Sequence, residues 1–121
     1  MAEKKRILLV DDTPTFLIIL NNILKNDYET LIATDGEDAI KTARHNPPDL
    51  ILCDVLMPGM SGYDVLIALK ADETTKSIPV VLVSGKDSDE HKTKGYDLGA
   101  AAYIKKPFEK AVILDTVIAL I

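Results

Sequence analysis

The sequence lacks several features that would assign it to common functional classes. Among its 121 residues there is one cysteine, Cys53, so an internal disulfide is excluded and a reducing compartment is compatible. Basic residues are outnumbered, 14 against 19 acidic ones, and the net charge of −5 argues against nucleic acid or anionic lipid as the main partner. No apolar stretch approaches the roughly 18 residues of a membrane span, and the charged start Met1–Arg6 is unlike a signal peptide. We therefore expect one soluble, acidic, cytoplasmic domain over residues 1–121.

Five short apolar runs divide the chain at regular intervals. They are residues 7–10, 30–33, 50–53, 80–83 and 101–104. Most lack polar alternation, which is typical of strands that are covered on both faces in a parallel sheet. The sequence thus predicts an α/β fold, since segments of helical length separate the runs.

The intervening segments carry helix-start and helix-stop signals. Thr13-Pro14 predicts a capping hydroxyl and a first-turn proline, and Ser61 has capping-box spacing to Asp64. Asp35 precedes a second helix that residues 45–48 end. A fourth helix, from about Ser88 to Leu98, is the weakest of the five because it has little apolar stripe and contains Gly95. Pro107-Phe108 predicts the start of the last helix, which we expect to run to the end of the chain.

Chemically active side chains follow four of the five apolar runs directly. In chain order they are Asp11 and Asp12, Asp54, Ser84, and Lys105 with Lys106. In an open α/β sheet, ligands bind outside the carboxyl ends of the strands. Three carboxylates, a hydroxyl and an ammonium group are therefore predicted to meet at one edge.

Three neighbouring carboxylates need a compensating cation at neutral pH. Mg²⁺ prefers oxygen ligands and is commonly held by one or two carboxylates together with phosphate oxygens. Together with one lysine, Mg²⁺ would bring the formal charge of the three aspartates to zero. Such a site is suited to phosphoryl transfer onto an aspartate nucleophile. Taken alone, Asp11-Asp12 would equally serve as a helix cap, Asp54 as a turn residue and Lys106 as a surface group.

In their order and spacing, these residues resemble the receiver domain of bacterial two-component response regulators. The motifs are Leu8–Asp12, Asp54 with Met57–Gly62 behind it, Ser84, and Tyr103 with Lys106–Phe108. The resemblance covers essentially the whole chain and implies a flavodoxin-like (βα)5 fold, with a five-stranded parallel sheet and helices on both faces. It also implies a phosphoacceptor that is switched by a sensor histidine kinase or phosphotransfer protein and controls an effector, rather than a turnover enzyme.

The resemblance assigns roles to matching positions. Asp54 would accept the phosphoryl group. Asp12, Asp54 and the backbone carbonyl of Leu56 would bind Mg²⁺, and Asp11 would act through a metal-bound water. Ser84 and Lys106 would contact the phosphoryl oxygens, Tyr103 would be the switch aromatic, and the bond before Pro107 would be cis.

Two other enzyme or cofactor classes fit less well. A haloacid dehalogenase phosphatase needs Asp-x-Asp after its first strand, whereas Asp11 and Asp12 are adjacent. A flavodoxin needs a phosphate-binding loop there, and the two aspartates would repel that phosphate.

Residues outside these motifs give weaker signals. We expect Cys53 to be a buried small hydrophobe and both His45 and His91 to be surface groups. Between Ala111 and Ile121 only Asp115 is charged. Either the chain stops inside a helix that continues toward another domain, or the last helix forms a homodimer or partner surface with the fourth.

Overall fold

Strands and helices alternate five times, as the apolar runs predict. The computed structural model describes residues 4–85 and 89–121. The elements in chain order are β1 Arg6–Val10, α1 Pro14–Leu24, β2 Glu29–Ala33, α2 Gly36–His45, β3 Leu50–Asp54, α3 Gly62–Lys70, β4 Val80–Ser84, α4 Asp89–Asp97, β5 Ala102–Lys105 and α5 Lys110–Leu120. The predicted strands are confirmed to within one residue at either end.

The strands form one parallel sheet in the order β2-β1-β3-β4-β5. This order makes β3 the central strand, with β1 and β4 as its neighbours. The carboxyl ends of all five strands point the same way, so the residues after β1, β3, β4 and β5 lie along one edge. The α/β fold class with a five-stranded parallel sheet is confirmed.

Alternate strand residues contribute to two cores, one on each face of the sheet. In β3, for example, Ile51 and Cys53 face a cluster with α2 and α3, whereas Leu50 and Leu52 face a cluster with α1 and α5. All five residues of β3 and of β4 are buried. Burial on both faces explains why these strands lack polar alternation.

The third helix begins with the predicted capping box. The Ser61 hydroxyl accepts from the Asp64 backbone N–H at 3.2 Å, and the Asp64 carboxylate accepts from the Ser61 N–H at 3.0 Å. Thr13 is the N-cap residue of α1 and Pro14 is its first residue, as predicted, but the Thr13 hydroxyl makes no capping bond. The Asp11 carboxylate instead accepts from the Thr13 N–H at 2.9 Å.

The two helix starts predict losses of different size for the same type of substitution. Ser61→Ala removes a capping bond and is expected to lower the free energy of unfolding by about 1 kcal/mol. Thr13→Ala removes a hydroxyl that caps nothing and serves as the matched control, with an expected loss below about 0.5 kcal/mol. Urea unfolding followed by circular dichroism measures both, and equal losses would contradict the assignment of the caps.

The fifth helix differs from the sequence prediction at its start, whereas the predicted start of the fourth is not described. Ser88 lies outside the described residues, and α4 is described from Asp89. The last helix begins at Lys110 rather than at Pro107, because Glu109 takes an extended N-cap conformation and Phe108 packs against the α1–α5 core. It ends at Leu120, one residue before the chain does.

Gly95 and His91 have packing roles on the inner side of α4. A Cβ at Gly95 would come within 2.8 Å of Leu82 Cδ1, so the glycine allows α4 to lie close against the sheet. His91, predicted as a surface group, is half-buried instead, and the Tyr63 hydroxyl lies 3.4 Å from its Nδ1. His45 is exposed, as predicted.

Within residues 4–85 and 89–121, no helix has the length and apolar character needed to cross a bilayer.

Candidate functional site

Three carboxylates meet at the carboxyl edge of the sheet. Asp11 and Asp12 follow β1, and Asp54 is the last residue of the adjacent strand β3. One oxygen of each lies within 4.8 Å of one oxygen of the others. Asp11 and Asp54 are buried and Asp12 is exposed, so the cluster opens to solvent on the Asp12 side.

Lys106 brings a positive charge into this cluster from the far side of β4. Its ammonium donates to Asp11 Oδ2 at 2.8 Å and to Asp54 Oδ1 at 3.2 Å. Only 11% of the lysine side chain is exposed, so water screens these ion pairs weakly. The adjacent Lys105 is exposed, as expected from strand alternation. The Lys106–Pro107 peptide bond is cis.

The surroundings of Asp54 raise the pKa of its carboxyl. Burial, and then the negative charge of Asp11, raise the pKa of the Asp54 carboxyl to about 6, against the opposing effect of Lys106. By formal charge, one lysine does not compensate three carboxylates. A divalent cation among these hard oxygen donors would do so, and the chemistry of the donor set fits Mg²⁺.

The remaining predicted site residues lie around this cluster. Ser84 ends β4 and is buried; its carbonyl accepts from the Lys106 N–H at 2.7 Å. Leu56 lies two residues after Asp54, with a side chain that is 54% exposed. Tyr103 lies on β5 and is half-buried against the α2–α3 core, away from the carboxylates in the sheet register.

Cys53 directly precedes the candidate acceptor but is chemically shielded. It is fully buried, and burial raises the pKa of its thiol, with the charges of Asp54 and Asp11 adding to the effect. A raised thiol pKa disfavours the reactive thiolate. The expectation of a buried small hydrophobe is confirmed.

One contact of the site has no counterpart in the sequence prediction. The Lys106 ammonium lies 3.9 Å from the centroid of the Phe16 ring, on the first turn of α1. Phe16 is separated from Lys106 by most of the chain, and a single aromatic residue in the first turn of a helix carries no sequence signal for this contact.

Comparison with known proteins places this geometry in one family. The family model for the response regulator receiver domain matches residues 7–118. Protein PilH of Pseudomonas aeruginosa is 38% identical over 117 residues, which cover 96% of this chain and 97% of that protein. Histidine kinase P4 of Formosa agariphila is 42% identical over 106 residues, which cover 88% of this chain but only 8% of the kinase.

Solved structures give the same result for the fold. The chemotaxis protein CheY4 of Vibrio cholerae superimposes with a TM-score of 0.93 at 28% identity, over 98% of this chain and 100% of that one. The match to the family model, the similarity to PilH and the acidic edge of the sheet lead to the same conclusion. The chain belongs to the response regulator receiver domain family and is a phosphoacceptor domain of two-component signalling.

Proposed function

We propose that Asp54 receives a phosphoryl group from the phosphohistidine of a sensor histidine kinase or phosphotransfer protein. The observation that carries this proposal is the position of its carboxylate, which is buried beside Asp11 and held by the Lys106 ammonium at 3.2 Å. A nucleophile for phosphoryl transfer needs a fixed position and neighbouring groups that stabilise the transferred charge. Asp54 has both.

The transfer needs only the phosphohistidine, Asp54 and a proton from solvent. A carboxylate oxygen of Asp54 attacks phosphorus, the new P–O bond forms, and the P–N bond of the phosphohistidine breaks. The imidazole nitrogen keeps the electron pair of that bond and takes up a proton. The Lys106 ammonium moves a donor from Asp54 Oδ1 to a phosphoryl oxygen and retains its contact with Asp11. The domain thereby acts as a phosphoacceptor rather than as a turnover enzyme on a separate substrate.

Mg²⁺ is the proposed cofactor of this site. Asp12, Asp54 and the backbone carbonyl of Leu56 would hold it, with Asp11 beside them. When bound, the ion supplies the positive charge that offsets the carboxylates and the transferring group. The three carboxylates with one lysine beside them support this assignment, since a single positive charge does not offset three negative ones.

Mg²⁺ is expected to stabilise the folded protein measurably. At a concentration about tenfold above the dissociation constant, the ion should add about 1.4 kcal/mol to the free energy of unfolding. Asp12→Asn removes one proposed ligand from the exposed side of the cluster and should abolish most of this gain. The measurement is urea unfolding with Mg²⁺ and with chelator. Asp115→Asn, an equal charge loss on α5, should retain the full gain. Equal Mg²⁺ stabilisation of both variants would refute the metal assignment.

The direct test of function is incubation with acetyl phosphate and Mg²⁺, followed by intact-mass measurement. We expect the mass of one phosphoryl group to be added and to be lost with hydroxylamine, which cleaves acyl phosphates but not phosphoserine. No mass change, or a label that resists hydroxylamine, would refute the proposal.

Ser84 and Tyr103 are proposed to transmit the phosphorylated state to the surface. Ser84 pairs with Lys105 in the β4–β5 register, and Leu82 pairs with Tyr103. If Ser84 is drawn to the phosphoryl group, this ladder connects its displacement to Tyr103, whose side chain packs near Gly95 of α4. The phosphoryl group would thereby favour one of two states of the α4–β5 surface.

The proposed partners are a histidine kinase or phosphotransfer protein on the input side and an effector domain or protein on the output side. A homodimer through α5 is a further proposal. In that helix Ile113 and Val117 are buried, whereas Val112 and Ile118 are 44% and 67% exposed. Exposed apolar residues of this kind are suited to a protein interface.

A further inference from the structure

The Lys106 ammonium has a third neighbour besides its two carboxylates. Its Nζ lies 3.9 Å from the Phe16 ring centroid, while it donates to Asp11 at 2.8 Å and to Asp54 at 3.2 Å. An ammonium within about 6 Å of an aromatic centroid is attracted by the negative face of the ring. Because the lysine side chain is only 11% exposed, water weakens this attraction little.

A ring face holds an ammonium differently from an oxygen ligand. It offers no lone pair, so it attracts the positive charge without taking an N–H donor in a hydrogen bond. All donors of Lys106 therefore stay available for Asp11, Asp54 and an incoming phosphoryl oxygen. A polar acceptor at the place of the ring would compete for one of them.

The Phe16 ring also packs against Phe108, in the same segment as Lys106. Its centroid lies 6.1 Å from that of Phe108, with the planes tilted by 52°, a favourable arrangement for two aromatic rings. Phe108 comes two residues after Lys106, and the Phe16 N–H donates to the Thr13 carbonyl at 3.1 Å in the first turn of α1. The two rings thus join α1 to the loop after β5.

We propose that Phe16 is a positioning residue for phosphoryl transfer, acting through its ring face on the Lys106 ammonium. The inference rests on the proposed function, because it concerns how Lys106 reaches the phosphoryl oxygens at Asp54. The ammonium keeps its contacts with Asp11 and with the ring while it exchanges Asp54 for a phosphoryl oxygen. A charge held in place before the reaction needs little rearrangement as the transition state forms.

The test replaces Phe16 by phenylalanines that carry increasing numbers of ring fluorines. Fluorine withdraws electron density from the ring face and weakens its attraction for cations, while the shape of the side chain changes little. We expect the rate constant for phosphorylation by acetyl phosphate with Mg²⁺ to fall steadily along the series, by about fivefold in total. Phe16→Leu should lose a similar factor, and Phe16→Tyr, which retains an electron-rich face, should recover most of it.

A second readout requires neither metal nor phosphate. The side-chain ammonium of Lys106 should give a ¹⁵N–¹H correlation in the chelator-treated protein, since its hydrogens are shielded and bonded to carboxylates. Along the fluorinated series, hydrogen exchange of this ammonium with solvent should accelerate in parallel with the loss of rate. Thermal unfolding midpoints check that the series remains equally folded.

The outcomes separate this inference from the proposed function. A wild-type protein that takes up phosphate, combined with a flat fluorination series in both rate and exchange, would overturn the role of Phe16 alone. A wild-type protein that takes up no phosphate would overturn the proposed function, whereas the ammonium exchange would still report on the ring contact.

Discussion

Asp54→Asn is expected to eliminate phosphoryl uptake from acetyl phosphate. The amide keeps the size of the side chain and can still accept a hydrogen bond from Lys106, but it lacks the anionic oxygen that attacks phosphorus. We expect incorporation to fall by at least about a hundredfold, because an amide is a very poor nucleophile. Intact-mass measurement after incubation with acetyl phosphate and Mg²⁺ follows the reaction.

The free energy of unfolding distinguishes a chemical loss of this kind from misfolding. The pKa of Asp54 is about 6 in the folded protein against an ordinary value of 3.8, so the folded state binds more protons between these values. Asp54 therefore favours folding most below the lower value, and this contribution is lost as the pH rises through about 6. In chelator at pH 8, the uncharged asparagine variant should be more stable than the wild type by about 1–2 kcal/mol.

The control for charge loss is Asp115→Asn, on the exposed side of α5. It should leave uptake from acetyl phosphate at the wild-type level. Full phosphorylation of the Asp54→Asn variant at a hydroxylamine-labile group would show that the acceptor is a carboxylate other than Asp54.

Gly62→Ala is expected to give the largest loss of stability among the glycine substitutions. A Cβ at this position would lie 2.3 Å from the carbonyl oxygen of Asp54 and 2.8 Å from Cα of Val55. Both are backbone atoms at the end of the central strand, so no side-chain rotation can relieve the clash. Helix α3 must move away from β3 and weaken the Gly62 N–H bond to the Val55 carbonyl, at 2.9 Å. We expect a cost of about 3 kcal/mol in urea unfolding.

Gly85→Ala is the matched control for this substitution. Among the described residues, nothing lies within 4 Å of a Cβ at Gly85, and the change should stay within about 0.5 kcal/mol. Because Gly62 contacts the backbone of Asp54 itself, Gly62→Ala should also slow phosphoryl uptake. A Gly62→Ala protein as stable as Gly85→Ala would show that α3 can shift without cost.

The strands were predictable because their signal is local. Continuous apolar runs such as residues 50–53 and 80–83 predict strands buried on both faces, and the structure buries all of them. The placement of Asp11, Asp54 and Lys106 at one edge follows from parallel strands alone. The order β2-β1-β3-β4-β5 is a property of long-range packing, and no local pattern in the sequence predicts it.

Two of the predictions that failed depend on contacts between distant segments. Pro107 has the sequence signature of a helix start, yet Phe108 packs against the ring of Phe16 and the helix begins at Lys110. His91 is a polar residue that the sequence alone places at the surface, but the Tyr63 hydroxyl on α3 lies 3.4 Å from its Nδ1. The Phe16 contact with Lys106 likewise depends on how α1 lies against the end of β5. No local pattern in the sequence contains this information.

The position of β5 at the edge of the sheet links the charge of the site to local opening. Among the described strands, this four-residue strand pairs with β4 alone, and it leads directly into Lys106, the cation that faces Asp11 and Asp54. Any opening that detaches β5 and the residues after it also removes that ammonium from two buried carboxylates, which then repel each other without compensation. Electrostatic attraction therefore opposes the detachment of β5, in addition to its backbone hydrogen bonds. A bound cation that neutralised the carboxylates would reduce this electrostatic cost of detachment.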